Sequence, residues 1–234
     1  MLLGKTTDTQ DVSGEVLSEE SVENIDNDAV VKCIGEFVGD YLQVPPMYSA
    51  LKVNGKKLYE LARQGIEVER KARPVVIHEI NIIEIDLPRV RMEVSCSKGT
   101  YIRTLCHDIG QRLGCGACME ELVRTKVSQF LISESYTLGE VAELKSEGRL
   151  DEIIVPIDQM FSEYEAVVLK YDFAAFAYNG IMFMPKHIVK KIELKDGKQV
   201  RVYDEAGHFI AIYVFNKEKW MFEIVKMFFD KSEL

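Results

Sequence analysis

Two alternating runs, residues 74–85 and 90–96, set the firmest limit on how this chain can fold. In "HEINIIEID" and "VRMEVSC" apolar and polar residues alternate with the period of a strand, and Pro88 stands between them. They read as neighbouring antiparallel strands. The second run leads through "CSKGTYIRTLCHDIG" into a helix expected over residues 101–113, with Gly114 as its stop. Lys98, Gly99, Thr100, Tyr101 and Arg103 therefore fall at a strand-to-helix hinge. An arginine there presents a planar fork of donors that suits a carboxylate or a phosphate. A plain surface arginine would occupy the same place, and the residues alone leave both readings open.

Around this centre the spacing predicts further elements. "GKTTDTQDVSGE" is rich in turn residues and reads as a loop that continues through an acidic stretch to Asn27. Val30, Val31, Ile34, Phe37 and Val38 have helical spacing, which predicts a helix over 28–41. Pro45-Pro46 ends it, 49–53 can extend, Asn54-Gly55 is a hairpin turn, and 57–63 suits a short helix stopped by Gly65. A strand is expected over 127–132. A helix is expected over 137–146, with Thr137 as N-cap and Glu140 completing a capping box. Past Pro156 and "SEYEAVV" the texture changes to short strands with turns at Asp196-Gly197 and Ala206-Gly207, a meander or small barrel. The fold class is α+β followed by a small β domain.

Composition narrows the function classes. With 234 residues, 47% of them hydrophobic, the chain can bury a sizeable core. No apolar run approaches the roughly 18 residues that span a bilayer, and a secretion signal is not seen. Five cysteines without a framework fit reduced thiols in a cytoplasm. The formal charge is −9, but residues 1–40 alone carry a net −8. Residues 52–73 and 186–201 each carry a net +4, two basic patches able to meet a phosphate backbone or simply to be solvated.

Several constellations are weaker. Cys115 and Cys118 have the spacing of half a zinc knuckle, but no second pair follows, so small-thiol packing is the preferred reading. His107-Asp108 lacks further ligands nearby, and neither a G-x-S-x-G elbow nor a phosphate-binding P-loop occurs. Tyr48, Lys52, Lys56, Lys57, Tyr59 and Arg63 interleave rings with cations, as RNA-binding surfaces do and as a basic hairpin with half-buried tyrosines also would.

Taken together, "GKTTDTQDVSGEV", "PPMYSALKVNGKKLYELARQGIEVERKARPV", "CSKGTYIRTLCHDIGQRLGCGACMEELVRTKVSQF" and "YTLGEV" closely resemble the TruB-type bacterial tRNA pseudouridine synthases. The likeness runs from about Gly4 to Met160. The stretch around Tyr178-Asn179-Gly180 looks, more loosely, like the small PUA-related domain that follows in that family. The resemblance implies a pseudouridine-synthase-type sheet, mixed but mainly antiparallel, with flanking helices over 1–160, and a PUA-like RNA-binding domain over 164–234. It implies isomerisation of uridine 55 in the tRNA T loop, by base flipping, without metal or organic cofactor. The arginine of the family's "GTYIR" motif, the partner of its nucleophilic aspartate, falls on Arg103. Tyr101 would line the pocket beside the base, Leu122 would support it, and Tyr48, Lys52, Lys57 and Lys98 would hold the T arm. The implied protein is cytoplasmic, monomeric when complete, and bound to neither membrane nor metal.

One departure bears on activity. In the family the aspartate lies in a G-x-L-D-P-x-A-x-G-x-L loop upstream of the "GKTTDT" region, together with a stacking tyrosine and a flipping histidine; the sequence here begins at Met1-Leu2-Leu3-Gly4, after that loop. Gly148-Arg149-Leu150-Asp151 imitates the G-x-L-D spacing, but it follows a helix and comes after the arginine motif, so Asp151 is rejected as nucleophile. Asp8 and Asp11 belong to a segment that resembles a structural part of the family, and Val123 stands where members often carry a basic residue. The expectation is that these 234 residues alone bind T-arm RNA without forming pseudouridine. The alternatives are a non-catalytic RNA-binding protein and a degenerate fragment.

Overall fold

A computed structural model describes residues 1–53 and 55–229 of the chain, which divides into two units, 1–134 and 135–234. In the first, strands β1 (Leu2–Leu3), β2 (Lys5–Thr7) and β3 (Val16–Glu19) precede helix α1 (Asn27–Gly35). Strand β4 (Gly39–Gln43), the short pair β5 (Lys52–Val53) and β6 (Lys56–Lys57), and helix α2 (Leu58–Ala62) follow. Next come the long strands β7 (Arg73–Asp86) and β8 (Arg89–Cys96), helix α3 (Ile102–Leu113), β9 (Ala117–Cys118), β10 (Lys126–Val127) and β11 (Phe130–Leu131).

The two alternating runs pair as expected: β7 and β8 are antiparallel, with Ile80 opposite Val94 and Asp86 opposite Arg89. They form the middle of a sheet ordered β4-β7-β8-β1-β9, in which β1 runs antiparallel to both its neighbours. One core gathers Leu3, Ile77, Val90 and Ala117 from this sheet with Val30 and Ile34 of α1 and Leu105 and Ile109 of α3. Each of these Leu, Ile and Val side chains stabilises the fold by about 1.5–3 kcal/mol when fully buried. Helix α3 ends where expected, at Gly114, whose φ of 78° is the left-handed stop. Its Gly110 faces β9 so closely that a Cβ there would lie 2.1 Å from the Ala117 nitrogen.

Three expectations fail locally. The helix expected over 28–41 ends at Gly35, and Gly39, at φ 108°, turns the chain into β4. Val30 and Ile34 are buried as helical spacing requires, but Val31 and Val38 are exposed. The inward side chains at 41 and 43 follow strand alternation, with Tyr41 opposite Val75 and Gln43 opposite Arg73. The loop expected at the start instead holds a hairpin of β2 and β3, in which Thr6 lies opposite Ser18. The strand expected over 127–132 is a tight hairpin of β10 and β11, turned at Ser128 with φ 52° and followed by a 3-10 turn. The flanks of the Asn54-Gly55 turn pair, Val53 with Lys56, while Asn54 itself lies outside the described residues.

In the second unit, helix α4 (Leu138–Ser146) carries the expected capping box: the Thr137 N–H donates to Glu140 Oε2 at 2.7 Å, and the Glu140 N–H donates to Thr137 Oγ1 at 3.2 Å. Strand β12 (Glu165–Val168) and helix α5 (Ala174–Tyr178) precede β13 (Gln199–Tyr203), β14 (Phe209–Asn216) and β15 (Met221–Met227). The meander expected from the turn glycines is present, β13-β14-β15 running antiparallel and β12 adding in parallel to β13. Its core is aromatic, with Phe183, Tyr213, Phe215 and Phe222 essentially inaccessible. The architecture is thus α+β with mainly antiparallel sheets. Among the described residues no helix is long and apolar enough to cross a membrane.

Candidate functional site at the start of helix α3

The hinge is built from short polar contacts. Ser97 continues the pairing with β7, its N–H donating to the Val76 carbonyl (2.8 Å) and its hydroxyl accepting from the Val76 N–H (2.9 Å). Gly99, at φ 91°, then turns the chain, and the Thr100 hydroxyl donates back to the Ser97 carbonyl at 2.9 Å. Tyr101 is the N-cap of α3, extended at φ −97° and ψ 104°, without a side-chain cap of its own. What holds it is Gln43. The Tyr101 N–H donates to Gln43 Oε1 at 2.8 Å, and Gln43 Nε2 donates to the Tyr101 carbonyl at 3.0 Å.

The next residues of α3 meet the loop between β2 and β3. The buried Thr104 hydroxyl donates to Gln10 Oε1 at 2.7 Å, with Gln10 in the left-handed region at φ 60°. The loop is laced internally. Thr7 and Thr9 hydroxyls donate to the Asp11 carbonyl, and Asp11 Oδ1 accepts from both the N–H and the hydroxyl of Ser13. Burial raises the Asp11 carboxyl, but the Ser13 hydrogen bonds and the charge of Arg103 outweigh it and hold it below the ordinary carboxylate range. Arg103 is half-buried, and among the described residues it makes neither a hydrogen bond nor an ion pair within 4 Å. A guanidinium so placed can receive a carboxylate bidentately.

The basic segment 44–72 is a excursion between β4 and β7, closed at its base where Arg70 Nη1 donates to the Pro45 carbonyl at 3.2 Å. It comes near the same loop, since the Asp8 carboxylate is close enough to the Tyr48 hydroxyl to raise its pKa. Lys52 is exposed opposite half-buried Lys57 in the β5-β6 pair. Lys57 Nζ donates to the Tyr59 hydroxyl at 3.1 Å and lies 5.3 Å from the Tyr59 ring centre, with the Arg63 guanidinium 5.4 Å away from the same ring.

The structure therefore brings Arg103 and Tyr101 together at one helix start, with Tyr48 near Asp8 of the neighbouring loop. Lys98 is exposed at the hinge turn, and Lys52 and Lys57 sit out on the basic segment. Leu122 is 53% exposed in an irregular stretch beyond β9. Asp151 lies in an exposed 3-10 turn of the second unit, beside Arg149, which is ion-paired with Glu147 and Glu152. Cys115 and Cys118 are buried, and burial pushes both thiols up. The His107-Asp108 pair is split between roles: Asp108 accepts the Tyr41 hydroxyl, while His107 Nδ1 is buried without a partner. Among the described residues no group of three or more His, Cys, Asp or Glu is placed to hold a metal. Gln43, Gln10, Thr104 and the nearness of Asp11 to the charge of Arg103 have no signal in local spacing; a lone polar residue closing β4 before two prolines was the one trace of Gln43.

The chain is similar to known proteins. The family description "TruB family pseudouridylate synthase (N terminal domain)" matches residues 1–102, and "tRNA pseudouridylate synthase B C-terminal domain" matches residues 103–162. The chain is 44% identical over 225 residues to the tRNA pseudouridine synthase B of Clostridium tetani, covering 96% of this chain and 75% of that one. It is 41% identical over 227 residues to that of Clostridium acetobutylicum, covering 97% and 75%. Among solved structures it resembles a chain of a Cbf5-Nop10-Gar1 complex, with TM-score 0.65 and 24% identity over 89% of this chain. It also resembles a chain of an H/ACA RNP bound to a substrate RNA containing 2'-deoxyuridine, with TM-score 0.66 and 21% identity over 91%. This chain spans 64% of each of those two, and at such identity the likeness concerns the fold alone.

Proposed function

The chain belongs to the TruB family of pseudouridylate synthases, and from that premise we propose that it serves the isomerisation of uridine 55 in the T loop of tRNA. The base is flipped from the loop, at an unstacking cost of a few kcal/mol offset by contacts in the pocket. The bond from N1 to the ribose breaks, C5 joins the ribose in its place, and the proton on C5 is lost while N1 gains one. Arg103 holds and aims the nucleophilic carboxylate, which a neighbouring cation keeps ionised. Tyr101 lies beside the base, with Leu122 supporting it. Lys52, Lys57, Lys98 and Tyr48 meet the T-arm backbone, and residues 164–234 add RNA contacts. The reaction places the protein with its tRNA in the cytoplasm, without metal or organic cofactor.

The observation that carries this reading is an arginine that makes no ion pair within 4 Å among the described residues, at the start of α3, beside Gln43 and Thr104 that bond elsewhere. Because C5 loses its hydrogen, tritium release from a T-arm stem-loop carrying [5-3H]uridine at position 55 measures the reaction. Release by the native protein is expected, and Arg103→Lys in that protein lowers it by about a hundredfold or more, since lysine cannot make the bidentate contact. RNA binding largely survives. Release equal to wild type would remove Arg103 from the mechanism, and no release from the native protein would remove the uridine-55 reading.

A second reading is an RNA binder without turnover. Arg103 faces no carboxylate within 4 Å among the described residues, and Asp11 Oδ1 is committed to Ser13. The purified 234-residue chain accordingly binds the T arm without turnover, and tritium release above background by that chain would overturn this.

A further inference from the structure

We propose that Gln43 is a positioning residue of this site: its buried carboxamide ties the seating of the basic segment 44–72 to the pose of Tyr101 and Arg103. The inference rests on the reading that Tyr101 and Arg103 meet the flipped uridine.

Gln43 is the last residue of β4 and 1% exposed. Its backbone is paired with Arg73, so it stands where the chain both leaves the sheet for the basic segment and returns from it. Its side chain bonds Tyr101 twice, once to the N–H and once to the carbonyl. A carboxamide reproduces the donor and acceptor of a peptide group, so Gln43 acts towards Tyr101 as a strand neighbour would. The same Tyr101 carbonyl also accepts the Leu105 N–H at 3.0 Å, the first intrahelical bond of α3. Gln43 thus fixes the residue from which Arg103 is aimed, two positions on.

The rest of β4 reinforces the link. Tyr41 shares a face with Gln43 and donates its hydroxyl to Asp108, more than one turn further along α3. Strand β4 therefore clips α3 at its cap and again in its body. Beyond Gln43 the basic segment is closed by Arg70 on Pro45, and its Tyr48 comes close enough to Asp8 of the β2-β3 loop to feel that carboxylate. A phosphate backbone drawn onto Lys52 and Lys57 pulls on the segment whose root is Gln43. A residue needed only to fill space at that root would serve as well without its polar end.

The test uses the 234-residue chain, a T-arm stem-loop RNA, and amide hydrogen exchange at residues 101–105. In the wild type, bound RNA slows exchange at these amides by about tenfold, within the usual range of coupling between sites. In Gln43→Met the RNA still binds, more weakly, but the slowing is lost. Gln43→Glu supplies a second arm, because a carboxylate only accepts whereas a carboxylic acid both donates and accepts. The slowing is absent at pH 8 and returns as the pH falls and the carboxyl takes up its proton. This pH signature also serves should Gln43→Met not fold. Slowing that persists in Gln43→Met, or in Gln43→Glu at pH 8, overturns the proposal. RNA that binds the wild type without slowing exchange at 101–105 overturns it too, while leaving the binding reading intact. A wild type that does not bind the RNA removes that reading and this inference with it.

Discussion

The two units bury different chemistry. In the first, the largest inaccessible side chains are aliphatic, among them Ile34, Leu58, Ile77, Leu105 and Ile109, and Thr6, Thr7, Gln43, Ser49 and Thr104 are buried with them. In the second they include Tyr213, Phe183, Phe215 and Phe222, and among its described residues His187 is the one buried polar side chain. A buried polar group costs free energy unless it is bonded, so a fold that buries several is specifying a geometry. Gln43 and Thr104 grip the first turn of α3, and Thr7 grips the loop beside it. The first unit gives up apolar packing to fix the start of a helix and the loop beside it, whereas the second gains stability from packed rings.

The sharpest way to break this contrast is Phe183→Ala. The Phe183 ring lies 5.0 Å from that of Phe222 and 4.8 Å from that of Tyr213, all fully buried. Its loss costs the second unit about 3–5 kcal/mol. Exchange-resolved denaturant titration should show β13-β15 opening earlier while α3 keeps its protection, and equal losses in both would mean that the cores are not separate. Next is Gly110→Ala in the first unit. The added methyl would meet the Ala117 nitrogen and the Gly116 carbonyl carbon at 2.1 and 2.3 Å, backbone atoms that can yield only if α3 and β9 part. A loss of about 1–3 kcal/mol, confined to the first unit, is expected in the same titration.

The third tests a polar cluster of the second unit. Burial alone would raise the Asp204 carboxyl, but bonds from the Tyr178 hydroxyl (2.7 Å) and from the ring and N–H of His208 outweigh it and hold it at about 2. A carboxyl whose pKa is lowered by folding, from an ordinary value of about 3.9, contributes stability above that value and loses it as the pH falls towards the folded one. The difference corresponds to about 2 kcal/mol, present at pH 6 and fading between about pH 4 and pH 2. Asp204→Asn should flatten that part of the pH-stability curve, and an unchanged slope would show that other carboxyls govern acid unfolding.

What the sequence disclosed follows the same division. The β7-β8 pair, the stops at Gly65 and Gly114, the Thr137 capping box and the C-terminal meander were legible because each depends on residues close in the chain. The hinge at Arg103 was legible for the same reason. Residues 37–41 were misread because their apolar spacing suits a helix as well as a strand, and only the turn at Gly39 separates the two. The long-range contacts at the hinge, Gln43 on Tyr101 and Gln10 on Thr104, join residues 58 and 94 positions apart, and no local period reports them.

The smallest effects sharpen the comparison most, because two changes of equal cost should have unequal consequences. Thr104→Val keeps the branched shape but removes the hydroxyl that donates to Gln10, and Tyr213→Phe removes the hydroxyl that donates to the Ile181 carbonyl at 3.1 Å. Each loses one hydrogen bond and should cost about 1 kcal/mol. In the second unit Tyr213 stays buried against the Phe183 ring without that bond. In the first, Gln10 in its left-handed conformation is held to α3 by Thr104, and the loop it belongs to carries Asp11 in the field of Arg103. Thr104→Val should therefore speed amide exchange across residues 8–14 and shift the Asp11 carboxyl towards its ordinary value, as NMR titration would record. Tyr213→Phe should leave both unchanged. If the two variants prove alike at Asp11, the buried polar residues of the first unit are ordinary core, and the contrast drawn from them fails.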